Sequence, residues 1–162
     1  MRSAIAPRVG YPDVEMAFLG GLLHDVGAMV LFNSDPRGFE QVVEEARQEE
    51  VLIVKKESKQ YGFDHTAVGV ALLDFWNIDN EVSEAVLVHH RGGDNSVGSL
   101  ASIIDMADLV CERAELGLFG ELPNPGAAML RASGCEDEAS LAELTRSVRE
   151  AYDQESALFR AA

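Results

Sequence analysis

Apolar positions recur three or four residues apart along nearly the whole chain, the period of an α-helix rather than of a strand. Asp13 is placed to cap a first helix in which Met16, Leu19, Leu22, Leu23, Val26 and Val30 form a buried stripe. Asn33-Ser34-Asp35-Pro36 ends that helix, and Pro36 suits the first turn of the next, which carries Phe39, Val42, Val43 and Ala46. Residues 51 to 61 open on Val-Leu-Ile-Val, which is also strand-like. Helix is preferred there because no second strand is available to pair with it. Gly62 breaks the chain. A helix from about residue 64 to 76 follows, with Val68, Leu72, Leu73 and Phe75 facing inward, and Asp79 then caps another that runs through Val82, Ala85, Val86 and Val88 to His89.

Arg91-Gly92-Gly93-Asp94-Asn95 has the composition of an exposed loop. A long apolar helix is expected from residue 96 to about 116. Gly117, Gly120 and Pro123-Asn124-Pro125-Gly126 form a flexible link. A short helix near residues 127 to 132 and a longer one from about 138 to 159 finish the chain. The last has Leu141, Leu144, Val148 and Tyr152 at helical spacing, continuing to Leu158 and Phe159. There is no hairpin signal, internal repeat or low-complexity tract, so the expected fold is all-α, a compact multi-helix bundle. A length of 162 residues suggests one domain, large enough to bury a core without staples.

Charge narrows the partners. Thirteen basic against twenty-eight acidic residues give a net charge of −15, which repels phosphate backbones and anionic lipid. Nucleic acid and membrane surfaces are therefore not expected partners. A protein with a basic face remains open, and so does a small phosphate ligand, because a bound metal inverts the local field. No apolar run looks long enough to cross a bilayer, and the start MRSAIAPRV lacks a secretory h-region, which leaves the cytoplasm as the expected location. Cys111 and Cys135 form no CxxC pair. Cys111 sits in an apolar helical pattern and reads as a buried thiol, with no disulfide suggested.

The chain has four histidines, and each has a definite place: His24 before Asp25 near the end of an apolar helix, His65 at the opening of a helix, and His89 and His90 as a pair at the end of another. Asp105 and Asp108 lie one turn apart on the long helix. Imidazole and carboxylate are the ligand set of Zn, Mn, Fe or Ni sites. Apolar neighbours surround these polar residues, and a buried ionisable group is costly unless it is paired or metal-bound. Simpler roles are available to each. His65 can be a first-turn residue behind an Asp64 cap, His89 and His90 can complement a helix dipole, and Asp25 can bond to a histidine with no metal present. Asp105 reads as a surface residue or one bonded to a backbone group. Taken singly none is specific; the set in this order is more so.

In that order the residues resemble a known superfamily. Ala17-Phe18-Leu19-Gly20-Gly21-Leu22-Leu23-His24-Asp25-Val26-Gly27 looks like the signature of HD-domain phosphohydrolases. Tyr61-Gly62-Phe63-Asp64-His65-Thr66-Ala67-Val68-Gly69, then Leu72-Leu73-Asp74-Phe75-Trp76, Glu84-Ala85-Val86 and His89-His90, is similar to the HDOD branch, and Ala107-Asp108 resembles its closing aspartate helix. The resemblance spans about residues 15 to 116. It divides the chain into an N-terminal segment, 1–12, an HDOD/HD-like helical domain, 13–120, and a C-terminal helical extension, 121–162. Similarity to the metal-binding HD-GYP relatives implies ligand roles for His24, Asp25, His65, His89, His90 and Asp108, with Asp25 as a bridging carboxylate. The implied cofactor is a divalent metal, Fe, Mn, Zn, Ni or Mg. Asp105 has no counterpart in that pattern.

Three departures bear on activity. Ala28 stands where active relatives often carry a lysine, and Arg91-Gly92-Gly93-Asp94 stands where Gly-Tyr-Pro is expected; Gly10-Tyr11-Pro12 occurs upstream instead. HDOD domains also run longer at the N-terminus, so this chain reads as the C-terminal half of a domain or a short version of one, whose exposed apolar surface would favour a homodimer. The resemblance thus implies a bacterial signal-transduction regulatory module, non-catalytic and working through signalling-protein partners or a small ligand. The alternatives are a metal-dependent phosphohydrolase acting on a nucleotide or cyclic dinucleotide, and a dimerisation scaffold built on the C-terminal helix.

Overall fold

Asp13 opens the first helix as expected, its side chain accepting from the Met16 amide, and α1 runs Val14–Leu23. The computed structural model describes residues 5–117, 119–120 and 126–160, without the side chains of 92–94 and 158–160. The expected continuous helix divides at His24-Asp25, and α2 (Val26–Ser34) starts afresh with Asp25 at its N-cap. The break resets the helical phase. Gly27, Ala28 and Leu31 face inward on α2, while Leu22 and Val30, both expected in the core, are 65% and 37% exposed. By length and composition Val14–Ser34 is apolar enough to cross a membrane, contrary to the expectation from sequence. The ionisable pair His24-Asp25 interrupts it midway, where an apolar bilayer would penalise it.

Asp35 caps α3 (Pro36–Glu49), with Pro36 in its first turn. Glu50 closes that helix in the left-handed region, and α4 (Ile53–Tyr61) follows, so the strand-like Val-Leu-Ile-Val run leads into a helix. Gly62, with φ of 83°, ends α4. Asp64 caps α5 (His65–Phe75), accepting from the Ala67 amide, and Asp79 caps α6 (Asn80–Val88). Phe75, expected inward, is 83% exposed because Leu73 and Gly69 carry the buried face. The segment expected as an exposed loop is instead a short 3-10 helix, His89–Asp94. Ser99 caps α7 (Leu100–Arg113), and α8 (Gly126–Ala132) and α9 (Glu138–Arg160) complete the chain. The expected flexible link falls in part on residues 118 and 121–125, outside the described residues, as do the side chains of Leu158 and Phe159. No strand occurs among the described residues.

Two apolar clusters organise the packing. The larger joins α6, α7, α8 and α9 through Val86, Ile104, Met106, Met129, Leu144 and Val148, and it includes Ile5, Ala6 and Tyr11 from the N-terminal segment. Tyr11 also donates to Glu81 on α6 at 2.7 Å. The smaller joins α2, α3 and α4 through Ala28, Leu31, Phe39, Val42, Ala46 and Ile53. The candidate polar residues stand on the elements that link the two clusters. Cys111 is half-buried and Cys135 buried, and neither forms a disulfide among the described residues.

Candidate functional site

His24 and Asp25 are delivered by the turn between α1 and α2, His65 by the first turn of α5, His89 and His90 by the 3-10 helix that follows α6, and Asp108 by α7. α2 and α5 approach closely enough for this because Gly27 carries no side chain: a β-carbon there would lie 2.7 Å from the Gly69 amide nitrogen. All six residues implied by the resemblance gather in one region. His24 Nε2 is 3.1 Å from Asp25 Oδ2 and 3.9 Å from Asp108 Oδ1. Asp25 Oδ1 is 3.5 Å from both His65 Nε2 and His89 Nε2. His65 Nε2 lies 3.0 Å from His90 Nε2 and 3.5 Å from His89 Nε2.

Within this region Asp25, His65, His89 and His90 each offer a ligand atom within 4.8 Å of the others. His24 and Asp108 stand beside that group rather than in it. The imidazole contacts explain the orientation. His89 Nδ1 is 2.7 Å from the Val86 carbonyl and His24 Nδ1 is 2.9 Å from the Gly21 carbonyl, contacts that turn the Nε2 edge of each ring toward Asp25. His65 Nδ1 is 2.7 Å from Glu57 Oε2, and the same oxygen accepts from the His65 amide at 2.9 Å. Asp25 Oδ1 is buried without a hydrogen-bond partner, although two imidazole nitrogens face it. Imidazole nitrogens and a carboxylate oxygen without a hydrogen-bond partner, converging in this way, are the donor set of a borderline divalent ion, and the residues fit one.

Burial and charge divide these groups. Burial opposes protonation of His24, but the hydrogen bond and charge of Asp25, then the charge of Asp108, outweigh it and raise its pKa to about 9. Burial likewise opposes charge on His65, and the hydrogen bond and charge of Glu57, followed by Asp25, raise it. His89 goes the other way. Burial drives it down to about 4, helped by the charges of His90 and His24 and opposed by Asp25. Asp25 is held well below the carboxylate range: burial would raise it, but hydrogen bonds from His24 and His89 prevail. Burial lifts Asp108 to about 6 against the pull of His24.

Asp105 corrects an expectation. It is 1% exposed and bonded by a side chain, not at the surface or on a backbone group: Asn95 Nδ2 donates to its Oδ2 at 2.8 Å. This contact ties the residues after the histidine pair to α7. Glu57 was missed from sequence, because it lies in the polar run Lys55-Lys56-Glu57-Ser58-Lys59 and looks like part of a solvated face. Its distance of eight residues from His65 is the only signal there, and it is a weak one.

Comparison with known proteins bears on the family and the fold. The family model for the HDOD domain matches residues 1–92, which takes in the N-terminal twelve residues set apart above and stops before α7. A solved HDOD domain protein of unknown function from Geobacter sulfurreducens is similar in structure, with a TM-score of 0.68 and 26% sequence identity. The match covers 90% of this chain and 54% of that one, so the chain spans about half the length of that relative. No curated protein matches the sequence. With more than half of its residues matched by the family model and its fold shared with a solved member, the chain belongs to the HDOD domain family.

Proposed function

We propose that this chain is a bacterial cytoplasmic regulatory module, non-catalytic, which binds a signalling protein or a small ligand and holds one divalent ion in its interior. The observation that supports this most is the single four-donor group of Asp25, His65, His89 and His90. Two-metal hydrolysis requires a pair of ions about 3.5–4 Å apart with a water activated between them. Among the described residues one converging donor group is present, which suits one ion. Its three imidazoles favour Zn, Fe, Mn or Ni over Mg, which prefers oxygen ligands.

Two features weigh against phosphate chemistry. Ala28 is buried among Leu31, Phe39 and Val42, so the position where active relatives carry a lysine offers no charge to steady a phosphate. The net charge of −15 opposes the approach of an anionic substrate and of nucleic acid. An ion bound here supplies positive charge that neutralises Asp25. The protein's own residues then join the α1–α2 turn, α5 and α6 at one point, so that a change at any of the three is felt by the others.

Elemental analysis of protein purified without chelator tests the first part, with about one equivalent of metal expected. The second part is tested with a generic phosphodiester and a cyclic dinucleotide in added Mn²⁺ or Fe²⁺, where no turnover is expected. Robust turnover that vanishes in Asp25→Ala would establish instead a metal-dependent phosphohydrolase.

A further inference from the structure

His65 is the member of the donor group that belongs to no motif-defined pair, and it is held by a residue from a different helix. Glu57, on α4, is fully buried, an expensive place for a carboxylate. Its two hydrogen-bond contacts among the described residues both go to His65: Oε2 lies 2.7 Å from the ring Nδ1 and 2.9 Å from the backbone amide. Its other oxygen, Oε1, is buried without a partner. A carboxylate that approaches a neutral imidazole at Nδ1 accepts a hydrogen bond from Nδ1–H, which leaves Nε2 as the bare nitrogen. On His65 that nitrogen is the one 3.0 Å from His90 Nε2 and 3.5 Å from Asp25 Oδ1.

We infer that Glu57 is a positioning residue for the donor group, fixing His65 in the Nδ1–H form so that Nε2 faces Asp25, His89 and His90. The inference rests on the proposed ion site for its consequence and on the contacts of Glu57 with His65 for its mechanism. His89 and His24 take their orientation from backbone carbonyls of their own elements, Val86 and Gly21, which arrive with the helix. His65 stands in the first turn of α5, where no preceding carbonyl of its own helix is available to Nδ1. An acceptor must come from elsewhere. The two bonds from one oxygen, to ring and to amide, fix the ring relative to its own backbone, and a neutral amide in place of the carboxylate makes a weaker acceptor that also presents a competing donor.

The test uses the full chain and the variant Glu57→Gln. Long-range ¹H–¹⁵N correlation spectra of the chelated protein at pH 8 read the tautomer of His65. The wild type is expected as Nδ1–H, and Glu57→Gln as a mixture or as Nε2–H, with the spectra of His24 and His89 unmoved. A second measurement titrates Co²⁺ alone, and its affinity is expected to fall 10- to 100-fold in the variant. A folded Glu57→Gln that keeps the wild-type tautomer and Co²⁺ affinity overturns the inference. If the variant does not fold, the wild-type spectrum decides, because an Nε2–H form of His65 overturns it without any variant. If the wild type takes up no Co²⁺, the ion-site proposal fails, and the tautomer comparison alone decides the role of Glu57.

Discussion

Gly27 and His65 meet backbone to backbone: a β-carbon on Gly27 would collide with the His65 carbonyl oxygen and lie 2.7 Å from the Gly69 amide nitrogen. The glycine two residues after Asp25 therefore sets how closely α2 lies on α5, and with it the approach of Asp25 to His65. Neither obstacle is the tip of a flexible side chain, so the helices themselves would have to part. Gly27→Ala is expected to destabilise the fold by about 2–3 kcal/mol, the upper part of the range for overpacking. Urea unfolding measures it, and an unchanged midpoint would mean that the α2–α5 contact yields freely.

His24 gives the fold an alkaline sensitivity. Its pKa is raised from the ordinary 6.5 to about 9. A base held above its unfolded value contributes stability that is complete below about pH 6.5 and is lost as pH rises through 9. In chelated protein, the stability gap between wild type and His24→Asn is expected to shrink by about 2 kcal/mol between pH 6.5 and 9.5. A gap that stays constant over this range would show that the charge of His24 is not held by Asp25 and Asp108.

Asp105 carries the opposite dependence. Burial raises its pKa to about 7, the hydrogen bond from Asn95 opposing and the charge of Asp108 adding. A carboxyl raised above its unfolded value of 3.8 favours the fold while protonated, and that advantage fades as pH rises from about 4 to 7. Asp105→Asn keeps an oxygen for Asn95 to donate to and removes the charge. The stability of the variant relative to the wild type is expected to rise by on the order of 2 kcal/mol between pH 5 and pH 8. Thermal unfolding at the two pH values measures the difference, and a relative stability that does not rise would contradict it.

How far the sequence reached can be judged from particular residues. The caps Asp13, Asp64 and Asp79 are local signals, and each now accepts from a backbone amide in the first turn of its helix. The association of His24, Asp25, His65, His89, His90 and Asp108 was legible from their order along a family pattern. The turn at His24-Asp25 was not, because the apolar residues on both sides continue one helical period and only tertiary packing selects the break. The outward turn of Leu22, Val30 and Phe75 follows from the same fact, since an all-round apolar helix does not declare which face is buried. Glu57 and Asp105 were missed for a related reason. A carboxylate is assumed to be solvated until a fold shows a partner for it.

Asp25 and Asp108 separate the geometry seen here from the ligand set implied by the family resemblance. Both carboxylates lie within ion-pair reach of His24, at 3.1 and 3.9 Å. Asp25 alone also faces His65 and His89, and it belongs to the four-donor group while Asp108 does not. Its pKa is held low by hydrogen bonds from His24 and His89 against the effect of burial, so it presents a full negative charge at neutral pH. Asp108 is raised to about 6 by burial and is partly protonated just below neutrality. A ligand that must first lose a proton binds a cation less well. Asp25→Asn is therefore expected to lower Co²⁺ affinity by more than about 100-fold, and Asp108→Asn by less than about tenfold, with helix content unchanged in both. The loss in Asp108→Asn is further expected to be larger at pH 7.5 than at pH 5.5, because the wild-type carboxylate is charged only at the higher value. Equal losses in the two variants at pH 7.5 would place Asp108 among the ligands and would mean that α7 moves toward Asp25 when the ion binds.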